Sequence, residues 1–139
     1  MKTVTLREVE FIAFTLARGL MANREPIPDF QTRFPHKLES CLAVPFQKFQ
    51  GKNFYHGLVA QAAILFYLLI KNHPFENGNK RIAVVTLFVF LYKNNKWLEV
   101  DNQELYNFSV WVAQSPPSLK NEVVKGVEKF IKDRLVPLK

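Results

Sequence analysis

The chain has 139 residues with 48% hydrophobic content, which suits one packed domain over residues 1–139 and excludes a disordered chain. One cysteine excludes an internal disulfide, the N-terminus lacks an apolar signal core, and the apolar segments 58–70 and 82–92 are too short to cross a bilayer. We therefore expect a cytoplasmic protein, whose formal charge of +7 favours an anionic partner.

Helical signals open the chain. Thr5 and Glu8 have the T-x-x-E spacing of a capping box, which predicts that a helix begins after Thr5. Residues 23–28, with two prolines, are predicted to be a loop, and residues 36–44 a short helix that ends before Pro45. The apolar positions of the first helix keep helical spacing: Val9, Ile12, Ala13, Leu16 and Leu20.

The middle of the chain has the strongest apolar pattern. Residues 45–55, PFQKFQGKNFY, mix aromatic and polar side chains, which suits either a β-hairpin or an irregular loop. Residues 56–71 are apolar nearly all round and are predicted to form a central buried helix. Pro74 and Gly78 interrupt the pattern, and a second apolar helix is predicted to run to about residue 94.

Two further helices are predicted after residue 94. One covers residues 104–113 and stops at the segment 115–117, and the last begins with Ser118 as its cap and reaches about residue 135. Strand signals are almost absent. The predicted fold class is therefore all-α, a compact single-domain helical bundle with a short β-hairpin as one option before the central helix.

Between the two apolar helices lies the polar segment HPFENGNKR, residues 73–81. Free backbone N–H groups and the positive dipole end at the start of a helix favour an anion, and a glycine permits a tight turn around it. Lys80 and Arg81 add charge and a bidentate fork, so the segment predicts a phosphate site. The imidazole of His73, five residues before Gly78, is a candidate general base for a hydroxyl nucleophile.

This segment resembles the signature loop of the Fic/Doc family, H-x-F-x-[D/E]-[G/A]-N-[G/K]-R. The lysine at position 80 is similar to the Doc (death-on-curing) branch, and the resemblance extends over the whole chain. It implies the Fic/Doc helical fold, with residues 46–55 as the flap that docks a target segment by strand-like pairing. Six residues are in register: His73, Phe75, Gly78, Asn79, Lys80 and Arg81.

The resemblance implies a role for each loop residue. His73 would deprotonate a Ser, Thr or Tyr hydroxyl of a target protein, with Lys80 and Arg81 completing the catalytic group. Phe75 would anchor the loop in the core. The nucleotide phosphates would be held by Gly78, Asn79, Lys80, Arg81 and Asn77.

The branch also implies a reaction and its partners. A lysine at position 80 implies transfer of the γ-phosphate of ATP, where a glycine would imply transfer of AMP. Similar Doc proteins are toxins that phosphorylate elongation factor Tu and are restrained by a small antitoxin. The resemblance thus implies ATP and Mg²⁺ as cofactors, a protein substrate such as elongation factor Tu, and a small antitoxin, with neither a membrane nor a nucleic acid as partner.

One loop position departs from the family pattern. Asn77 stands where the family has the Asp or Glu that holds Mg²⁺, and an uncharged amide ligates Mg²⁺ more weakly. Glu76 is acidic and adjacent, but it is one residue out of register.

Three alternatives stay open: transfer of AMP, binding of nucleotide or antitoxin without catalysis, and an RNA-directed toxin, which only charge and aromatic content suggest.

Overall fold

The computed structural model describes residues 2–18 and 27–139, apart from the side chain of Phe14. The all-α prediction is confirmed. In chain order the elements are α1 (Leu6–Phe11), a π-helix (Ile12–Ala17), α2 (Pro35–Ala43), β1 (Lys48–Phe49), β2 (Lys52–Asn53), α3 (Gly57–Lys71), α4 (Asn79–Lys93), β3 (Lys96–Leu98), α5 (Asn102–Gln114), α6 (Lys120–Arg134) and β4 (Leu135–Pro137). Short 3₁₀ turns cover Phe30–Thr32, Val44–Phe46 and Pro117–Leu119.

The capping box at the start of α1 is confirmed. Thr5 Oγ1 accepts the Glu8 N–H at 3.2 Å, and Glu8 Oε1 accepts the Thr5 N–H at 2.9 Å. Glu8 Oε1 also pairs with Lys93 Nζ at 2.7 Å, which ties α1 to the end of α4. The predicted helical position Leu20, and residues 23–26 of the predicted loop, lie outside the described residues.

The helices α3 and α4 form the centre of the bundle. Residues 61–70 of α3 and residues 81–87 of α4 are all buried. The short connection between them makes the two helices antiparallel neighbours. One hydrophobic cluster extends from Val4 to Ile131 across the described residues. That the whole chain is a single domain stays a prediction.

These two apolar helices have 15 residues each. Among residues 2–18 and 27–139, no helix is both long enough and apolar enough to cross a membrane. Their apolar surfaces are covered within the protein instead, because α3 packs against α4, α5 and α6.

The segment before α3 is a β-hairpin, which is one of the two conformations that the sequence allows. β1 and β2 pair antiparallel. The turn residues Gln50 and Gly51 have φ angles of 52° and 78°, and a left-handed pair of this kind matches the twist of a two-residue hairpin. The Phe54 N–H donates to the Gln47 carbonyl at 2.9 Å and closes the base of the hairpin.

Two predictions about the C-terminal part are wrong. Ser118 does not cap the last helix, because it lies inside a 3₁₀ turn and α6 begins at Lys120 after Leu119, which makes no side-chain cap bond. Strands are also more frequent than predicted, because β3 pairs antiparallel with β4. Each of these strands has three residues, too few for an alternating pattern to stand out.

Candidate functional site

The loop between α3 and α4 is held in place at both of its ends. At the α4 end, Gly78 occupies the N-cap position with φ 73°, a left-handed conformation that glycine adopts without strain. At the α3 end, the Pro74 carbonyl accepts the Phe34 N–H at 2.9 Å, which joins the loop to the start of α2. The sequence HPFENGNKR therefore forms an ordered turn at one end of the bundle.

Phe75 anchors this loop in the core, as the resemblance implied. Its side chain is 2% exposed, and its ring lies 6.0 Å from the ring of Phe30. The guanidinium of Arg33 covers the Phe30 ring at 4.2 Å. The loop is thus attached to the segment before α2 as well as to the helices on either side of it.

Asn79 braces the loop from the first turn of α4. Its Oδ1 accepts the Phe75 N–H at 3.0 Å, and its Nδ2 donates to the Phe75 carbonyl at 3.0 Å. The side chain is 6% exposed, so both bonds are shielded from water. The resemblance implies a phosphate contact for Asn79, which stays a prediction; this brace is a structural role that the motif alone does not show.

We predict that Asn79→Ala destabilises the fold by about 1–3 kcal/mol, because the buried N–H and carbonyl of Phe75 lose their partner. Urea denaturation measures the free energy of unfolding. Asn121→Ala, at an exposed position of α6, is the matched control and should change stability little. Equal stability of the two variants would show that the brace contributes nothing.

His73 lies at the start of the loop with its side chain exposed. Its φ of 48° is a left-handed conformation in a residue other than glycine, which often marks a functional position. Nδ1 lies 3.5 Å from Asn79 Nδ2, at the outer limit of a hydrogen bond. The exposed imidazole is open to a group that approaches the loop.

The two cations of the loop differ in exposure. Lys80 is half-buried, whereas Arg81 is 3% exposed and its Nη2 donates to the carbonyl of Ala17 in the π-helix. Arg81 thus joins α4 to the N-terminal segment. Its predicted phosphate contact stays a prediction.

The described residues do not fit the Mg²⁺ that the resemblance implies. Asn77 is uncharged, and its Oδ1 accepts the Gly78 N–H at 2.9 Å. Glu76 is adjacent, but its side chain is exposed. Among residues 2–18 and 27–139, no three His, Cys, Asp or Glu side chains lie close enough together to hold a metal ion. The loop therefore supplies donors for an anion, whereas its position for the metal-binding acid of the family holds an uncharged amide.

The hairpin and His73 lie at opposite ends of α3. The hairpin precedes Gly57, whereas His73 follows Lys71, and 15 helical residues at about 1.5 Å each separate them by about 22 Å. The ring of Phe46 beside that of Phe90, at 5.5 Å, places the base of the hairpin near the end of α4 remote from the loop. Hairpin arms of about three residues extend only about 10 Å.

Cavities within the part of the chain that the structure describes were not predicted from the sequence. One of about 280 Å³ lies on the hairpin, between Phe49, Lys52, Phe54 and His56. Another of about 570 Å³ lies along α4 and β3, with Trp97 among its lining residues. Both depend on tertiary packing, so only the solvent-facing aromatic residues could have indicated them.

The protein is a mainly helical bundle with a polar loop, which carries Lys80 and Arg81, at the start of a buried helix. The sequence model of the Fic/DOC family matches residues 6–91, more than half of the chain and the whole of the loop. The protein therefore belongs to the Fic/DOC family, whose members are typically transferases. No curated protein and no solved structure matches the chain.

Proposed function

We propose that this protein transfers the γ-phosphate of ATP to a Ser or Thr hydroxyl of a target protein, as a toxin of the Doc type. The observation that carries the proposal is the lysine at position 80, in a loop at the start of the buried helix α4 that departs from the family pattern only at Asn77. Membership of a family of transferases supports the reaction class. The lysine supports the Doc branch within that family.

In this reaction His73 acts as the base. The target hydroxyl gives its proton to the imidazole while its oxygen forms a bond to the γ-phosphorus, and the bond from that phosphorus to the bridging oxygen breaks, so that ADP leaves. Phosphoryl transfer depends chiefly on positioning and charge stabilisation. The exposed imidazole at the start of the loop is open to an approaching hydroxyl.

The phosphates lie at the start of α4 in this proposal. The first turn of a helix has backbone N–H groups without helical partners, and its dipole favours negative charge. Gly78 brings the chain close to the ligand, and Lys80 adds a positive charge on the same turn. ATP is the proposed donor.

The proposed partners follow from the same resemblance. Elongation factor Tu is the proposed substrate, and a small antitoxin is the proposed inhibitor, both in the cytoplasm. The experiment is incubation of purified elongation factor Tu with this protein and ATP, followed by mass spectrometry of the substrate. An added phosphate supports the proposal, whereas an added adenylate identifies an AMP transferase.

The hairpin is the proposed docking surface for the target protein, about one helix length from His73. Lys48 and Lys52 are exposed on it, and no Asp or Glu occurs between Glu39 and Glu76. Phe49 and Phe54 are 69% and 64% exposed beside the lysines. This combination suits a target segment that carries carboxylates and an apolar side chain.

We predict that the double variant Lys48→Glu with Lys52→Glu raises the KM for the protein substrate by about fivefold to tenfold and leaves kcat unchanged. Steady-state transfer rates at varied substrate concentration measure both constants. The matched control reverses two exposed lysines of α6, Lys125 and Lys132. Equal KM values for the two double variants would show that the hairpin does not bind the protein substrate.

A second candidate is a domain that binds nucleotide without transferring any group. The observation that favours it is Asn77, whose amide replaces the acidic residue of the family pattern. This candidate predicts that elongation factor Tu keeps its mass while ATP binds to the protein.

A further inference from the structure

Asn77 has one acceptor atom, and the fold already uses one of the two lone pairs of that atom. The Gly78 N–H only donates, so the atom at 2.9 Å from it must be the amide oxygen Oδ1. The other terminal atom of the side chain is the NH₂ nitrogen Nδ2, which donates and has no acceptor capacity. The position at which the family pattern has a carboxylate therefore has one lone pair left on an uncharged oxygen, together with an NH₂ group that only donates.

An aspartate at this position would behave differently. One of its two oxygens could accept the same N–H while the other remained available to a cation. An asparagine bound in the same way has an NH₂ group in place of that second oxygen, and such a group cannot ligate a metal ion but suits a phosphate oxygen. The neighbouring start of α4 and the ammonium of Lys80 also favour an anion.

We propose that Asn77 converts the metal position of this site into a direct phosphate contact, so that the nucleotide binds through Nδ2 without a magnesium ion held by the protein. This inference rests on the proposed function, because it assumes that the loop binds ATP. It concerns the cofactor requirement and the donor set of that site. It also gives Asn77 two tasks, to cap the loop with Oδ1 and to contact the ligand with Nδ2.

Asn77→Asp is the sharpest test, because it changes one NH₂ group to an oxygen and keeps the contact to Gly78. Isothermal titration with ATP, in excess Mg²⁺ or in excess EDTA, gives two dissociation constants for each variant. For the wild type we expect the two constants to agree within about twofold. For Asn77→Asp we expect Mg²⁺ to tighten binding by about tenfold or more, and EDTA to leave ATP bound more weakly than to the wild type.

Glu76→Gln is the matched control, since it removes the adjacent carboxylate, which is exposed. This variant should bind ATP as the wild type does under both conditions. Wild-type binding that tightens tenfold with Mg²⁺ would overturn the proposal, and loss of that gain in Glu76→Gln would assign the metal to Glu76. Thermal melting of each variant checks that the loop is intact.

Binding and transfer separate this inference from the proposed function. ATP that binds equally with and without Mg²⁺, together with unmodified elongation factor Tu, supports the phosphate contact and contradicts the transferase. Transfer of phosphate to elongation factor Tu that requires Mg²⁺ and is lost in Glu76→Gln supports the transferase and contradicts the phosphate contact of Asn77. A protein that binds no ATP under either condition contradicts both.

Discussion

His73→Asn should lower the rate of phosphate transfer by about 10²–10⁴-fold, the usual contribution of a general base. Asparagine is the suitable replacement because position 73 has φ 48°, a left-handed conformation that asparagine tolerates and alanine resists. The exposed side chain makes one long contact, to Asn79, so the fold should persist. Initial rates with ATP and the protein substrate measure the effect.

The control for this variant is His36→Asn, because His36 is an exposed histidine on α2 outside the loop. We expect its transfer rate to equal that of the wild type. ATP binding should survive in both variants, since neither removes a proposed phosphate contact. A His73→Asn variant with the wild-type rate would contradict the assignment of the base.

Phe75→Ala should lower the free energy of unfolding by about 3–5 kcal/mol, the usual cost of truncating a fully buried phenylalanine. The ring is 2% exposed and packs beside Phe30, so its removal leaves a cavity under the loop. Urea denaturation monitored by circular dichroism measures the change. Transfer should fall as well, because the loop loses its anchor.

Phe49→Ala provides the comparison, because this ring is 69% exposed on the hairpin. Its effect on the free energy of unfolding should stay within about 0.5 kcal/mol. If both phenylalanine variants unfolded at the same urea concentration, Phe75 would not be the anchor of the loop.

The helices could be predicted because their signals are local. Thr5 and Glu8 specify a cap through side chains three residues apart, and the nearly all-apolar segments that became α3 and α4 indicate burial without any tertiary information. The boundary of α6 was harder. Ser118 has the residue type of a cap, but the two prolines before it favour a 3₁₀ turn that ends at Leu119.

The short strands depend on tertiary contacts. β3 forms only because β4, more than 30 residues later, lies beside it, and neither segment has enough residues to show a period of two. The hairpin had a local signal in Gly51, but its aromatic residues pointed equally to an irregular loop. Its distance from His73 follows from the length of α3 and from the contact between Phe46 and Phe90.

The identities of the site residues followed from the motif, whereas their contacts did not. Asn79 could be expected near a phosphate, but its two bonds to Phe75 depend on the exact path of the loop. The burial of Arg81 against the Ala17 carbonyl requires a segment about 60 residues earlier in the chain. The orientation of the Asn77 amide is likewise fixed by the Gly78 N–H.

The most direct test of the central claim uses the wild-type protein in a bacterial lysate with Mg²⁺, supplied in parallel with ATP labelled at the γ-phosphate or at the α-phosphate. The account predicts that γ-label appears on a lysate protein of the size of elongation factor Tu and that α-label does not. Label from the α-phosphate would contradict it and identify an AMP transferase. Absence of both labels would contradict it in favour of a domain that binds nucleotide without transfer.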